Sequence, residues 1–132
     1  MLVLLDANDA PTYMTAPVKG AKRIANLVAL PNGEIVGIAD QTAFLYDLDH
    51  RELLATTSLS STPLDNSLTL GPDGNLWGLT SDSIFRLDKN TLSVTALISS
   101  SNEITSGIAM DGENIYFGSN SDVYSFSWKS VE

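Results

Sequence analysis

Three short triplets of carboxylate and amide residues, Asp6-Ala7-Asn8, Asp47-Leu48-Asp49 and Asp88-Lys89-Asn90, are the first features of the chain that could do chemistry. An Asp-x-Asp/Asn unit offers hard oxygen donors at the spacing that opens a calcium loop. None of the three is followed by the glycine and bidentate glutamate that would complete one. The triplets also recur at a fixed interval, 47 − 6 and 88 − 47 both being 41. Short acidic and amide side chains accept bonds from nearby backbone N–H groups in turns. The spacing therefore predicts equivalent structural turns, not metal sites.

The remaining catalytic groups are sparse. His50 is the sole histidine and lies beside Asp49 and Arg51. A Ser-His-Asp arrangement would need it buried next to a nucleophile, and no Gly-x-Ser-x-Gly elbow is present, so a solvated turn histidine is expected. With no cysteine there is no disulfide framework, thiolate nucleophile or Cys-ligated zinc. No metal and no cofactor is expected.

The triplets belong to a longer repeat. Residues 27 to 59 align without a gap on 68 to 100, an offset of 41, and 107 to 128 align on 68 to 89 at an offset of 39. Thus Pro31-Asn32-Gly33 falls under Pro72-Asp73-Gly74, Gly37 under Gly78, Phe44 under Phe85, and Tyr124 under Phe85 in turn. Self-similarity at a fixed period reports a supersecondary unit copied whole. Each unit reads as four strands, which in the second copy are Ser67 to Gly71 (A), Asn75 to Thr80 (B), Ser83 to Asp88 (C) and Leu92 to Ile98 (D). Pro-Asp-Gly supplies the A to B turn and Ser-Asp the B to C turn. Segments such as "EIVGIA" and "NLWGLT" are apolar at consecutive positions, as expected when both faces of a sheet are covered.

Four strands in about 40 residues, with both faces covered, is the pattern of a β-propeller blade. A leucine-rich solenoid would need a period of roughly 20 to 29 residues. The expected fold class is all-β, with about three blades of four antiparallel strands forming a partial propeller. The single domain would divide into C and D strands of a preceding blade (1–25), two blades (26–66 and 67–105) and an incomplete final blade (106–132). "DGENIYFGSNSDVYSFS" resembles the repeat of quinoprotein-type propellers. "GPDGNLWGLTSDSIFRLDKNT" is similar to repeats of virginiamycin B lyase, NHL and gluconolactonase-like propellers. No WD dipeptide ends a blade, a departure from the WD-repeat pattern. Because closed propellers hold four to eight blades, three imply either that the remaining blades belong to a larger chain or that copies associate as a homo-oligomer to complete the ring.

Composition bounds the partners. The chain of 132 residues supports one core, and seven Lys and Arg against 16 Asp and Glu leave a net charge of −9. A nucleic acid or an anionic membrane would be approached against the protein's own field, so neither is expected as a partner. "KGAKR" gathers Lys19, Lys22 and Arg23 into a local positive spot. The opening "MLVLLD" is shorter than the roughly 7 to 15 apolar residues of a leader core, and no run approaches the ~18 needed to span a bilayer. The compartment stays open.

Residues that recur in register build the blade, whereas residues that break register are free for function. Trp77, Tyr116, Phe85, Tyr124 and Phe44 are in register and expected between blades; Trp128 is off the repeat and is expected to anchor a strand end or a chain contact, with sugar stacking the alternative. The D to A connections, "APVKGAKRIAN", "SLSSTPLDNS" and "ISSSNEITS", differ where the strands do not. They carry Arg23, Leu64 and Glu103 at one aligned position, flanked by Lys22, Asp65, Asn66 and Asn102. Such connections ring one mouth of a propeller channel. Lys22, Arg23, Asp65, Asn66, Asn102 and Glu103 are therefore the candidate ligand-binding residues, and no catalytic residue is assigned. The expected function is a non-catalytic binding propeller engaging a carbohydrate, peptide or protein. One alternative, implied by the lyase and lactonase resemblance, is metal-assisted cleavage of a polysaccharide or lactone, with Glu103, Asp65 and Asn66 as ligands or base and Arg23 or Lys22 stabilising negative charge. A structural assembly module without a ligand is the other.

Overall fold

The structure, a computed structural model, describes residues 2–5, 7–8, 11–15 and 18–131. It is all-β, and its sheets follow the repeat. An N-terminal antiparallel pair, β1 (Leu2–Leu5) and β2 (Pro11–Thr15), comes first. Blade 1 is the meander β3 (Ile24–Ala29), β4 (Glu34–Ala39), β5 (Thr42–Asp47) and β6 (Glu52–Ser58). Blade 2 is β7 (Thr69–Leu70), β8 (Leu76–Leu79), β9 (Ser83–Leu87) and β10 (Val94–Ser99). Blade 3 has three strands, β11 (Ser106–Met110), β12 (Asn114–Ser119) and β13 (Asp122–Ser127), followed by a 3-10 turn at Trp128–Val131. The first of the three triplets includes Asp6, which lies outside the described residues.

Alternation along each strand sends side chains to opposite faces, and apolar residues fill both. Between blades 1 and 2, Val36, Ile38 and Leu45 meet Leu68, Leu76, Phe85 and Leu87. Between blades 2 and 3, Trp77, Leu79 and Ile84 meet Ile115, Phe117 and Trp128. On the other face of blade 1, Phe44 and Tyr46 pack with Val18, Ala21 and Ile24. Each full burial of such a side chain contributes about 1.5–3 kcal/mol, so stacking the blades, not any single sheet, supplies the core.

Repeated close fits set the blade geometry. Gly37 lies opposite Phe44, and Gly78 opposite Phe85, with the ring over the glycine so that a Cβ at either position would overlap it. Blade 3 replaces the glycine by Phe117, which stacks on Tyr124 with ring centroids 5.9 Å apart. Turn chemistry follows residue type as well. Asp40 and Asn120 take positive φ (54° and 55°) in the B to C hairpins, a conformation that short polar residues tolerate.

Two strand limits of blade 2 differ from expectation by two residues, and the others by no more than one. The A strand of blade 2 begins at Thr69 and not Ser67, because Ser67 is committed to side-chain bonds described below. The D strand begins at Val94 and not Leu92, because Leu92 adopts a φ of 60° and donates its N–H to the Asp88 carbonyl (2.8 Å), ending the turn with a fully buried side chain.

Candidate functional site

Local chemistry accounts for two of the triplets. Asp47 Oδ1 accepts the N–H groups of Asp49 (3.0 Å) and His50 (3.1 Å). Asp88 Oδ1 likewise accepts those of Asn90 (2.8 Å) and Thr91 (3.0 Å). Bonds to the ionised form favour it, and the backbone N–H groups of His50 and Asn90 accordingly hold the two carboxyls below their ordinary value. His50 is exposed and reaches Asp47 Oδ2 through Nδ1 at 2.7 Å, which raises its pKa. It is a turn residue with no nucleophile beside it among its bonded partners. Asp111 performs the same service in blade 3, accepting from the N–H of Asn114 (2.7 Å) and Glu113 (2.8 Å) and from the Tyr116 hydroxyl (2.7 Å).

Trp128 is 6% exposed, packs 6.4 Å from Trp77 between ring centroids, and donates Nε1–H to the Asp111 carbonyl at 2.9 Å. It anchors the end of blade 3; a buried indole has no free face for a sugar.

The D to A connections and the B to C turns share one face, since the backbone ties them together. Asp40 donates to the Arg23 carbonyl (3.0 Å), Leu59 to Gln41 (2.8 Å), Leu64 to Leu79 (2.9 Å), Ser100 to Asp82 (2.8 Å) and Ile104 to Ser81 (2.8 Å). On this rim the structure brings together two of the three connections. Arg23 pairs with Asp65 through Nη2 and Oδ2, and the Asn66 N–H reaches the Ala25 carbonyl at 3.4 Å. The backbone N–H of Lys22 is held by Asp40 Oδ2 at 3.1 Å, leaving its side chain exposed. Asn102 sits in a turn closed by Ser100, whose Oγ donates to the Asn102 carbonyl (2.8 Å) and accepts its N–H (3.2 Å). Glu103 is exposed, and the buried Ile104 that follows it pins its backbone. Among the described residues, no three His, Cys, Asp or Glu side chains gather closely enough to hold a metal ion.

Beneath the Arg23–Asp65 pair lies a buried clasp that sequence reasoning missed. Asn26, 3% exposed, donates Nδ2–H to the Leu64 carbonyl (3.0 Å) and accepts the Ser67 N–H at Oδ1 (2.8 Å). Ser67 Oγ donates toward the Leu64 carbonyl (2.6 Å) and lies 3.1 Å from that of Leu79. Asn26 and Ser67 are themselves 41 positions apart, so the repeat aligns them, but nothing within one repeat specifies that they bond to each other across blades.

A second missed group lies on the face of blade 2 turned toward blade 3, where Trp77 and Arg86 are paired across the ladder. Arg86 lies over the Trp77 ring (5.3 Å to the centroid) and 3.6 Å from Asp73, whose Oδ1 accepts the indole N–H at 3.1 Å. These residues bind one another and close the A to B turn of the blade.

Meandering four-stranded sheets, stacked face to face on apolar layers, define a β-propeller fold. A solved structure agrees: the chain is similar to the crystal structure of BamB from Moraxella catarrhalis, a β-propeller, with a TM-score of 0.66 at 15% identity. The match covers 90% of this chain and 38% of that one, so the chain spans well under half of that propeller's length. No protein-family model and no curated protein sequence matches the chain. The likeness is one of fold.

Proposed function

We propose that the chain is part of a non-catalytic interaction β-propeller that holds a peptide or protein partner on the rim formed by its D to A connections. One observation carries this reading. The polar residues in register are consumed in holding the blades, whereas the off-register residues of the rim are exposed, those of the first two connections beside the buried Asn26 clasp and those of the third on a turn fixed by Ser100 and by the Ile104 N–H to the Ser81 carbonyl. A rigid scaffold presenting dissimilar loops is how binding surfaces arise without change of fold. Lys22, Arg23, Asp65, Asn66, Asn102 and Glu103 would supply a mixed set of cation, carboxylate and amide donors and acceptors, suited to the polar rim of a protein interface.

Panning a displayed peptide library against the chain tests this. Selected peptides should bind about tenfold or more weakly to a Lys22→Ala, Asn102→Ala, Glu103→Ala triple variant, a loss of ~1.4 kcal/mol or more, with its melting temperature unchanged. Peptides that bind the variant equally well would place the binding surface elsewhere and overturn the assignment. A glycan-array signal without any peptide would shift the ligand class to carbohydrate and overturn the peptide reading.

A further inference from the structure

One repeat position, just past the C strand, lies over the A to B turn of its own blade. In blade 1 it is Leu48, half-buried against Phe44 and Tyr46, whose N–H donates to the Gly33 carbonyl at 3.3 Å. In blade 3 it is Trp128, buried against Trp77 of the neighbouring blade with its indole N–H on the Asp111 carbonyl. Blade 2 breaks the series. Lys89, 41 residues after Leu48 and 39 before Trp128, is exposed, and its Nζ would stand 3.7 Å from a Cβ on Gly74 of the A to B turn. Where Trp128 fills the gap between blades 2 and 3, the gap between blades 1 and 2 is open, a pocket of about 310 Å³. Leu30 and Pro31 of blade 1 and Leu70 of blade 2 are its apolar walls; Asn32, Lys89 and Asn90 are its polar side, and no carboxylate lines it. Both walls belong to four-stranded blades. The Asn32 amide is committed to Glu34 at 3.0 Å, and Asp88 to the N–H groups of Asn90 and Thr91. Within the described residues, neither the Lys89 ammonium nor the Asn90 side-chain amide forms an ion pair or hydrogen bond.

We propose that this pocket binds a small aromatic monocarboxylate. The ring lies between Leu30, Pro31 and Leu70, as the indole of Trp128 lies between blades 2 and 3. The carboxylate pairs with the Lys89 ammonium and accepts an N–H from the Asn90 amide, and hydrogen bonds to an ionised group are the stronger kind. Volume sets the size class, because the pocket is at the lower end of the roughly 300–1,000 Å³ of small-molecule sites and suits a single ring system. Charge sets the valence: with one lysine in a chain of net charge −9, a ligand carrying several negative charges is disfavoured. The A to B and C to D turns lie at the opposite ends of the strands from the D to A connections, so this site is separate from the rim and stands whether or not the rim takes a partner.

Indole-3-propionate, whose ring copies the Trp128 side chain, is the probe, titrated calorimetrically into the 132-residue chain with amide NMR shifts as the map. Saturable binding is expected, with shifts centred on Leu30, Asn32, Gly74, Lys89 and Asn90. Tryptamine, the same ring on a cationic tail, should bind about tenfold or more weakly, and so should indole-3-propionate to a Lys89→Leu variant, which restores the residue type of blade 1. A Lys89→Trp variant should seat its own indole in the pocket and lose the probe with no fall in melting temperature. Absence of saturable binding would overturn the proposal. So would tryptamine binding as tightly as the acid, undiminished binding to Lys89→Leu, or shifts centred on the rim. A Lys89→Trp variant that still binds the probe as the parent does would show that the pocket is not the counterpart of the Trp128 seat, and would overturn it equally.

Discussion

Gly78 shows how much one residue position decides. Its Cα faces the Phe85 ring across the ladder, and a Cβ would overlap ring atoms that are themselves 2% exposed and packed against blade 1. Displacing the buried Phe85 ring would break its packing on blade 1, so Gly78→Ala is expected to cost about 1–3 kcal/mol by overpacking, despite alanine's lower backbone entropy cost. Chemical denaturation would show it as a lowered midpoint at unchanged slope; a neutral or stabilised variant would mean that the ring shifts freely. The pairing of Gly37 with Phe44 and of Gly78 with Phe85 was legible in the repeat itself, because both members recur 41 residues apart. The roles of Arg86 and Asn26 were not. Each depends on partners contributed by another strand or another blade, and no local pattern specifies them.

Turns are the elements on which acidity acts. Asp47, Asp88 and Asp111 are held below the ordinary carboxylate value of 3.8, chiefly by the backbone N–H groups of His50, Asn90 and Asn114 respectively. A carboxyl with a depressed folded-state pKa adds stability above its unfolded value and loses it as pH falls through the folded one. The melting temperature should therefore decline steeply below about pH 4. A triple Asp→Asn variant at positions 47, 88 and 111, which keeps the acceptor but not the charge, should flatten that decline. An identical acid profile in the variant would remove these turns from the account. His50 works in the opposite sense: Asp47 raises its pKa above 6.5, so its small, exposed contribution is complete below that value and fades as pH rises through the folded one.

Across the whole molecule, the last blade is built differently from its neighbours. On the face of blade 3 turned away from blade 2, Tyr116, Gly118, Val123 and Ser125 occupy the positions of Trp77, Leu79, Ile84 and Arg86. Tyr116 spends its hydroxyl on Asp111, Val123 is 78% exposed, and glycine and serine offer little surface to bury. That face lacks the apolar layer that joins blades 1 and 2. Combined with a net charge of −9, it does not favour association of like chains. Light scattering at micromolar concentration is expected to return the mass of one chain, and a stable dimer would instead support ring completion by a second copy.

The repeat by itself determined the fold class, the number of blades and most strand limits to within one residue, because period, turn residues and alternating apolar positions are local properties written once per unit. It also marked Asp47 and Asp88 as turn formers and the D to A connections as the variable segments. Tertiary structure alone decided that Arg23 meets Asp65, that Trp128 is buried, and that a pocket opens between Leu30 and Lys89. Those facts arise from residues distant in the chain coming into contact, and the distance between them is set by how blades stack, which no single repeat encodes.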